Sequence, residues 1–246
     1  ASLLVCSSEW RKAIVADAMR IPLENIAIIQ NAWRIDAKMG SPARKKKRVI
    51  LWAGRMLYLK NLRRLLRAFA EVHPVRGSPA EGAAATAPGR SASNGVNKNG
   101  WELCLLGDGP DRLGVEKYVK EHDIPSVRFV SALRREELLD EMASASFFIL
   151  PSFSDVGPNV IVESLSVGTP CIMTKESGYE ELLRESILLI DPFDERDIQE
   201  KIRRYMEDDS LRIQHRERGQ RIVSSRGWKE AAEEWISLFE RVEGSA

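Results

Sequence analysis

The sequence is poor in the residues that mark several large classes of protein. It has three cysteines, Cys6, Cys104 and Cys171, far apart and with no Cys-x-x-Cys pair. A disulfide framework and a zinc site are both disfavoured, and a reducing cytosol is the compartment that fits. It has three histidines, His73, His122 and His215, in charged helical surroundings without ligand spacing. Each reads as a surface histidine, and no metal site is expected. No apolar run approaches the roughly 20 residues of a membrane span, and Ala1–Cys6 is too short and uncharged for a secretory signal. With Ala rather than Met at position 1, the N-terminus reads as that of a processed or cut chain. Charge of one sign is lacking too: Lys and Arg number 37 against 36 Asp and Glu. That balance disfavours a globally basic nucleic-acid binder. There is no Gly-x-x-x-x-Gly-Lys-Ser/Thr phosphate loop, no Gly-x-Ser-x-Gly elbow and no Asp-x-Asp. Phosphate-loop nucleotide hydrolysis and serine-esterase chemistry fall away.

What remains is a core-forming chain of 246 residues, 43% hydrophobic and 30% charged, long enough for one large α/β domain or one domain and part of another. Leu3–Cys6 reads as a strand, Ser7-Ser8-Glu9 as a helix cap followed by Ile14, Ala18 and Met19 at helical spacing, and Asn25–Trp33 as a second strand. Composition shifts between Arg34 and Arg48, where Gly40, Ser41 and Pro42 precede Arg44-Lys45-Lys46-Lys47-Arg48. That stretch reads as a basic linker. Val49–Ala53 is a buried strand, and Leu62, Leu65, Leu66 and Phe69 stripe a helix over Asn61–Val72. Residues 74–100, rich in Ala, Gly, Pro, Ser and Asn, read as a surface insertion. Strands at Glu102–Leu106, Val127–Val130, Phe147–Leu150, Pro170–Met173 and Ile187–Ile190 then alternate with helices at Pro110–His122, Arg134–Ser144, Pro158–Val167 and Gly178–Arg184. Helices over Glu195–Glu207, Leu211–Ser224 and Trp228–Arg241 close the chain. Continuous apolar strands alternating with helices predict a parallel α/β sheet covered on both faces. In such sheets ligands sit beyond the carboxyl ends of the strands.

The loops after those strands hold the unusual residues. Gly54-Arg55 and then Lys60 follow the strand at Val49. The two cations either converge on an anion or are ordinary surface charges. Gly107-Asp108-Gly109-Pro110 follows the next strand, as a ligand loop or a plain turn, with Pro110 suited to the first helical position. Pro151–Glu163 is the most informative segment. Asp155 lies in the loop, Pro158 opens a helix, and N–H groups around Gly157, Asn159 and Val160 form a candidate anion site. Glu163, about one and a half turns in, sits among apolar neighbours. It is either paired in the core or accepts hydrogen bonds from a ligand.

In order and spacing, Gly54-Arg55…Lys60, Gly107-Asp108-Gly109-Pro110, Pro151-Ser152, Asp155-x7-Glu163, Gly168-x-Pro170 and Gly178-x-x-Glu181 resemble the retaining glycosyltransferases of family 4, from about Val49 to the C-terminus. The resemblance implies a GT-B fold, with two Rossmann-like domains facing across a cleft. It implies that residues 1–36 are the last strand–helix–strand unit of an N-terminal domain, 37–48 a linker, 49–227 the nucleotide-sugar-binding domain with its insertion at 74–100, and 228–246 a crossing helix beginning at Trp228. Arg55 and Lys60 would hold the donor diphosphate, and Asp155 the hydroxyls of the donor sugar, these three being the implied catalytic residues. Gly54, Gly107, Gly157, Pro158, Asn159 and Val160 would line the donor, Glu163 would hold the ribose, and Val130 and Leu133 the base. The implied activity is transfer of a hexose-type sugar from a nucleoside diphosphate sugar to a glycan, lipid or other acceptor. It would proceed without a cofactor or metal, in the cytoplasm or at the cytoplasmic face of the membrane; the alternative is a non-catalytic nucleotide-sugar-binding or partner subunit. Two departures stand out. Asp155 occupies the place of a Glu, and Asn61 follows Lys60 where Gly is common.

Overall fold

The computed structural model describes residues 3–33, 48–72 and 100–244. The expected linker at 37–48 apart from Arg48, the expected insertion at 74–100 apart from Gly100, and His73 lie outside the described residues. Two parallel sheets are present among them. The small one pairs β1 (Leu4–Cys6) with β2 (Ile26–Ile28) across α1 (Glu9–Met19). The large one has six strands: β3 (Val49–Ala53), β4 (Glu102–Leu106), β5 (Val127–Val130), β6 (Phe147–Leu150), β7 (Cys171–Thr174) and β8 (Leu188–Ile190). Their spatial order is β5-β4-β3-β6-β7-β8, all parallel, with Ile50 facing Leu103 on one side and Phe147 on the other. The chain therefore builds outward from β3 in one direction, then returns and builds in the other.

The helices are α2 (Leu62–Val72), α3 (Arg112–Glu121), α4 (Arg135–Ser144), α5 (Asn159–Ser166), α6 (Glu180–Leu183), α7 (Glu195–Glu207), α8 (Asp209–Ser224) and α9 (Trp228–Glu243). α2 packs with α3 and α7, and α5 with α4 and α8, so both faces of the sheet are covered. Coverage explains why β3, β6 and β7 are buried at every position. The α2 stripe Leu62, Leu65, Leu66 and Phe69 is wholly buried, joined by Ala68 and Val72. Side chains cap α1, α7 and α8: Ser8 accepts from Arg11 N, Asp194 from Arg196 N and Asp197 N, and Asp208 from Leu211 N.

Several sequence expectations are corrected. β2 stops at Ile28 because its partner β1 ends at Cys6, whose carbonyl takes the last pairing bond from Ile29 N (2.9 Å). The chain then leaves the small sheet. Trp33, 5% exposed, joins the large domain's core, and its indole N–H donates to Val223 O at 2.7 Å. Pro110 is not in a helix; α3 begins at Arg112 with Asp111 as its N-cap, because Asp111 N is drawn to Met56 O (3.2 Å). Pro158 is the N-cap of α5 rather than its first residue. His215 is not a surface histidine. It is buried beside Tyr205, whose hydroxyl lies 2.7 Å from His215 Nδ1 and 3.2 Å from Cys171 O. All three cysteines are buried and unbridged, and burial pushes the Cys104 thiol up to about 11.

Candidate functional site

The strand order reverses between β3 and β6, and the loops leaving these two strands are tied together. Lys60 ends a 3-10 turn, Tyr58–Lys60. Phe153 N donates to Leu59 O (2.9 Å), and the Asn61 side-chain amide donates to Pro151 O (3.1 Å) and Pro192 O (2.9 Å). Asn61 has φ +56°, a left-handed conformation that Asn tolerates better than most residues. It therefore takes this turn at less cost than most residues and makes two side-chain hydrogen bonds that a glycine could not make.

Within this frame Lys60 Nζ meets Asp155 Oδ2 at 2.7 Å, with side-chain exposures of 24% and 15%. Ser152 Oγ is 3.5 Å from the same carboxylate oxygen. Asp155 is fixed a second time by the loop after β7: its N–H donates to Glu176 O (2.8 Å), and its carbonyl accepts from Gly178 N (3.0 Å). Gly178 is required at this crossing, since a Cβ there would stand 2.0 Å from Val156 O.

Gly157 and Pro158 lead into α5. That helix has no side-chain cap, which leaves the first N–H groups, at Asn159 and Val160, without a side-chain acceptor. Glu163 is neither deep in the core nor free. Its Oε1 is 2.7 Å from Arg135 Nη1, with side-chain exposures of 19% and 49%. Gly54 and Arg55 are exposed, and Arg55 has no ion pair among the described residues. Lys60 is thus committed to Asp155 while Arg55 faces solvent.

The Gly107–Pro110 loop serves the backbone. Gly107 has φ +133°, and a Cβ there would lie 1.9 Å from Gly54 O. Gly54 N donates to Leu106 O (3.0 Å), Met56 N to Asp108 O (2.8 Å) and Gly107 N to Val130 O (2.8 Å). Val130 thereby lends its carbonyl to the frame, while Val130 and Leu133 are half-buried beyond β5. Among the described residues no group of three or more His, Cys, Asp or Glu side chains could hold a metal ion, and no helix is long and apolar enough to cross a membrane.

Residues 34–222 match the family described as glycosyl transferases group 1. The chain belongs to this family. It is 28% identical over 219 residues to the D-inositol 3-phosphate glycosyltransferase of Nocardioides sp., covering 83% of this chain and 43% of that protein. It is 30% identical over 132 residues to the lipopolysaccharide core biosynthesis glycosyltransferase LpsE of Rhizobium meliloti, covering 52% and 38%. The chain thus spans less than half the length of these relatives. Among solved structures, Anabaena Alr3699/HepE in complex with UDP superposes with a TM-score of 0.74 at 20% identity, over 98% of this chain and 64% of that one. TarM of S. aureus, also with UDP, gives 0.75 at 13%, over 97% and 44%. These neighbours share the fold, which is the Rossmann-like α/β half of a GT-B glycosyltransferase.

Within the group 1 frame, several residues at the site carry no motif and escape a reading of the sequence. Arg135, the partner of Glu163, lies in the expected helix Arg134–Ser144 with nothing to set it apart. Exposed Tyr58 and half-buried Phe153 form an aromatic pair, 5.4 Å between centroids, beside Lys60 and Asp155. Asn31 and Tyr179, far apart in sequence, lie against Gly157, where a Cβ would stand 3.4 Å from Asn31 Nδ2 and from the Tyr179 hydroxyl. Burial raises the Tyr179 phenol pKa, with Arg226 opposing and Asp155 adding. Next to them, Arg226 Nη2 donates to Gln30 O at 2.7 Å, and Arg226 pairs with Glu234 of α9.

Proposed function

We propose that this chain is the donor-binding part of a retaining hexosyltransferase of the family 4 type, using a nucleoside diphosphate sugar. The observation that carries the reading is the Lys60–Asp155 pair, which joins the β3 and β6 loops where the strand order reverses, the place where open α/β sheets bind ligands. Departure of a nucleoside diphosphate from the sugar develops charge on phosphate. The Arg55 guanidinium, the Lys60 ammonium and the uncapped start of α5 would stabilise that charge by fixed electrostatics. Asp155 would accept hydrogen bonds from the sugar hydroxyls, so donor entry exchanges the Lys60–Asp155 contact for Lys60–phosphate and Asp155–hydroxyl contacts. Glu163 would hold the ribose diol while keeping or yielding Arg135, and Val130 and Leu133 would flank the base. No cofactor or metal is required by this set of groups. The acceptor, a glycan or lipid met in the cytoplasm or at the membrane surface, belongs to the same proposal.

Thermal unfolding with UDP, GDP, ADP and their sugars, each with and without EDTA, tests the reading. One base should raise the melting temperature equally with and without EDTA; saturation at 100 times Kd adds about 2.7 kcal/mol of stability. UDP is the first to try, because solved neighbours hold it. Arg55→Ala and Lys60→Ala should weaken the diphosphate more than the nucleoside. Equal losses, or no shift with any nucleotide, would overturn the assignment.

A further inference from the structure

Aromatic rings gather on the loops that leave β3, β6 and β8. Tyr58 lies in the turn after β3, Phe153 after β6 and Phe193 after β8. Phe153 is half-buried and holds the other two together. Its ring centre is 5.4 Å from that of Tyr58 and 5.3 Å from that of Phe193, which stacks on it at 22°. Tyr58 and Phe193 nevertheless stay 76% and 64% exposed, and Leu59 beside Tyr58 is 54% exposed. Single apolar side chains at a surface are ordinary, but a contiguous group drawn from three loops is not.

The three loops are tied to one another. The Asn61 side chain joins the β6 and β8 loops through Pro151 O and Pro192 O, and Phe153 N donates to Leu59 O. Arg64 Nη1 donates to Pro192 O, and its guanidinium carbon sits 5.7 Å from the centre of the Phe153 ring. Phe193 N donates to Asp191 Oδ1 at 2.8 Å. Rings on a fixed backbone lose little freedom when a ligand stacks on them. Lys60, Arg67 and Lys175, close to the rings in the chain, are each paired with a carboxylate. A membrane-docking face instead keeps a cluster of free cations among its apolar side chains. The two open rings present roughly 300 Å², against the roughly 800 Å² that each side of a stable protein complex buries. The size and the near-neutral surroundings suit a small uncharged ligand.

We propose that Tyr58 and Phe193, backed by Phe153, form a stacking platform for a saccharide. A pyranose ring presents a face of C–H bonds, whose slight positive charge suits the negative face of an aromatic ring. Its hydroxyl rim stays hydrated or meets the Tyr58 phenol and Ser154, which is exposed and follows Phe153. Tyr58 is two residues from Lys60, and Phe153 is two from Asp155, a reach of at most about 7 Å of chain. The platform thus adjoins the Lys60–Asp155 pair. Stacking of a saccharide does not depend on the donor-binding proposal; that the saccharide is the acceptor does.

NMR titration of the whole chain with cellotetraose, maltotetraose and mannotetraose tests the platform. At least one should bind saturably with Kd of about 1 mM or tighter. Tyr58→Ala and Phe193→Ala should each weaken it about fivefold, the scale of one aromatic contact. Tyr58→Phe should keep the affinity within about twofold, whereas Tyr58→Leu should lose as much as the alanine variant, since leucine keeps apolar area without a flat face. The variants should melt with the wild type, because both rings are exposed. A melting shift with UDP that is the same in wild type and variants separates the platform from the donor site. A bound saccharide with no UDP shift in the wild type would sink the donor reading and leave the platform standing. Binding of no tetrasaccharide, indifference to both alanine substitutions, or equal binding by Tyr58→Leu and the wild type would each overturn the proposal. So would loss of the UDP shift in Tyr58→Ala, which marks a base-stacking site, or retention on phosphatidylglycerol vesicles that both alanine variants lose.

Discussion

The two ends of the large sheet are built by different means. At the carboxyl end, backbone meets backbone. The β3 and β4 loops interlock through Gly107 against Gly54, and the β6 and β7 loops cross at Asp155 and Gly178. At the amino end, side chains add to the backbone pairing, with Tyr205 and His215 over Cys171 and Arg212 over Trp101. The carboxyl end tolerates no added atom at its crossings and holds Lys60 and Asp155 in place against each other. The amino end keeps a cavity lined by Arg48, Arg203, Arg212 and Arg216. One end is set by steric exclusion, the other by polar complementarity, so they should fail differently when perturbed.

The largest effect should come from Gly107→Ala. The added methyl collides with Gly54 O and the backbone is left-handed, so urea unfolding should show a loss of about 3 kcal/mol or more. Gly114→Ala, inside α3 with only the end of the Arg63 side chain nearby at 3.4 Å, should instead gain up to about 1 kcal/mol. Equal effects would erase the distinction between an interlocked loop and an ordinary helix. Next comes the charge pair. Lys60→Met and Asp155→Asn should each cost about 1–2 kcal/mol, because the partner's charge is left largely desolvated. The double variant should cost less than the sum by about 1 kcal/mol; strict additivity would mean the pair is not coupled. Arg135→Ala, removing the more exposed Glu163 pair, should change stability by no more than about 0.5 kcal/mol.

The amino end should be distinguished by acid. Burial lowers the His215 pKa from 6.5, with Arg204 and Arg218 adding and Asp208 and Glu185 opposing. The unfolded chain then takes up the proton before the folded one as pH falls. The His215 contribution to stability is present above 6.5 and is lost as pH falls from there through the folded value. The melting temperature of the wild type should drop more between about pH 7 and about pH 5 than that of His215→Gln; parallel curves would place the acid sensitivity elsewhere. The smallest effect concerns the thiols. With Cys104 pushed up to about 11 by burial and Cys6 and Cys171 also buried, a disulfide reagent should label the native chain slowly and the unfolded chain at once. Rapid labelling of one thiol in the native state would show local opening at that strand.

Much of the carboxyl end was legible because its loop crossings leave marks in residue type. Glycine is needed where backbones touch, Asp155 is a carboxylate in the loop after an apolar strand, and Glu163 is one where a helix reads otherwise apolar. The β1–α1–β2 unit was legible in kind, yet β2 was drawn too long, since apolarity at Ile29 and Trp33 does not say which sheet or core takes them. His215 looked like any charged-helix histidine because its burial comes from Tyr205, ten residues away, and from β7. The Pro110 and Pro158 positions differ because capping depends on the loops that pull on them, not on proline's preference alone.

The sequence by itself determined the parallel α/β architecture, since doubly covered strands must be apolar throughout and helices striped, and it marked the loops that carry the candidate site. The tertiary structure alone decided who pairs with whom: Lys60 with Asp155, Arg135 with Glu163, Arg212 with Trp101. Local pattern records whether a residue is buried, but a partner distant in the chain is chosen by strand order and loop crossing, which no local pattern encodes.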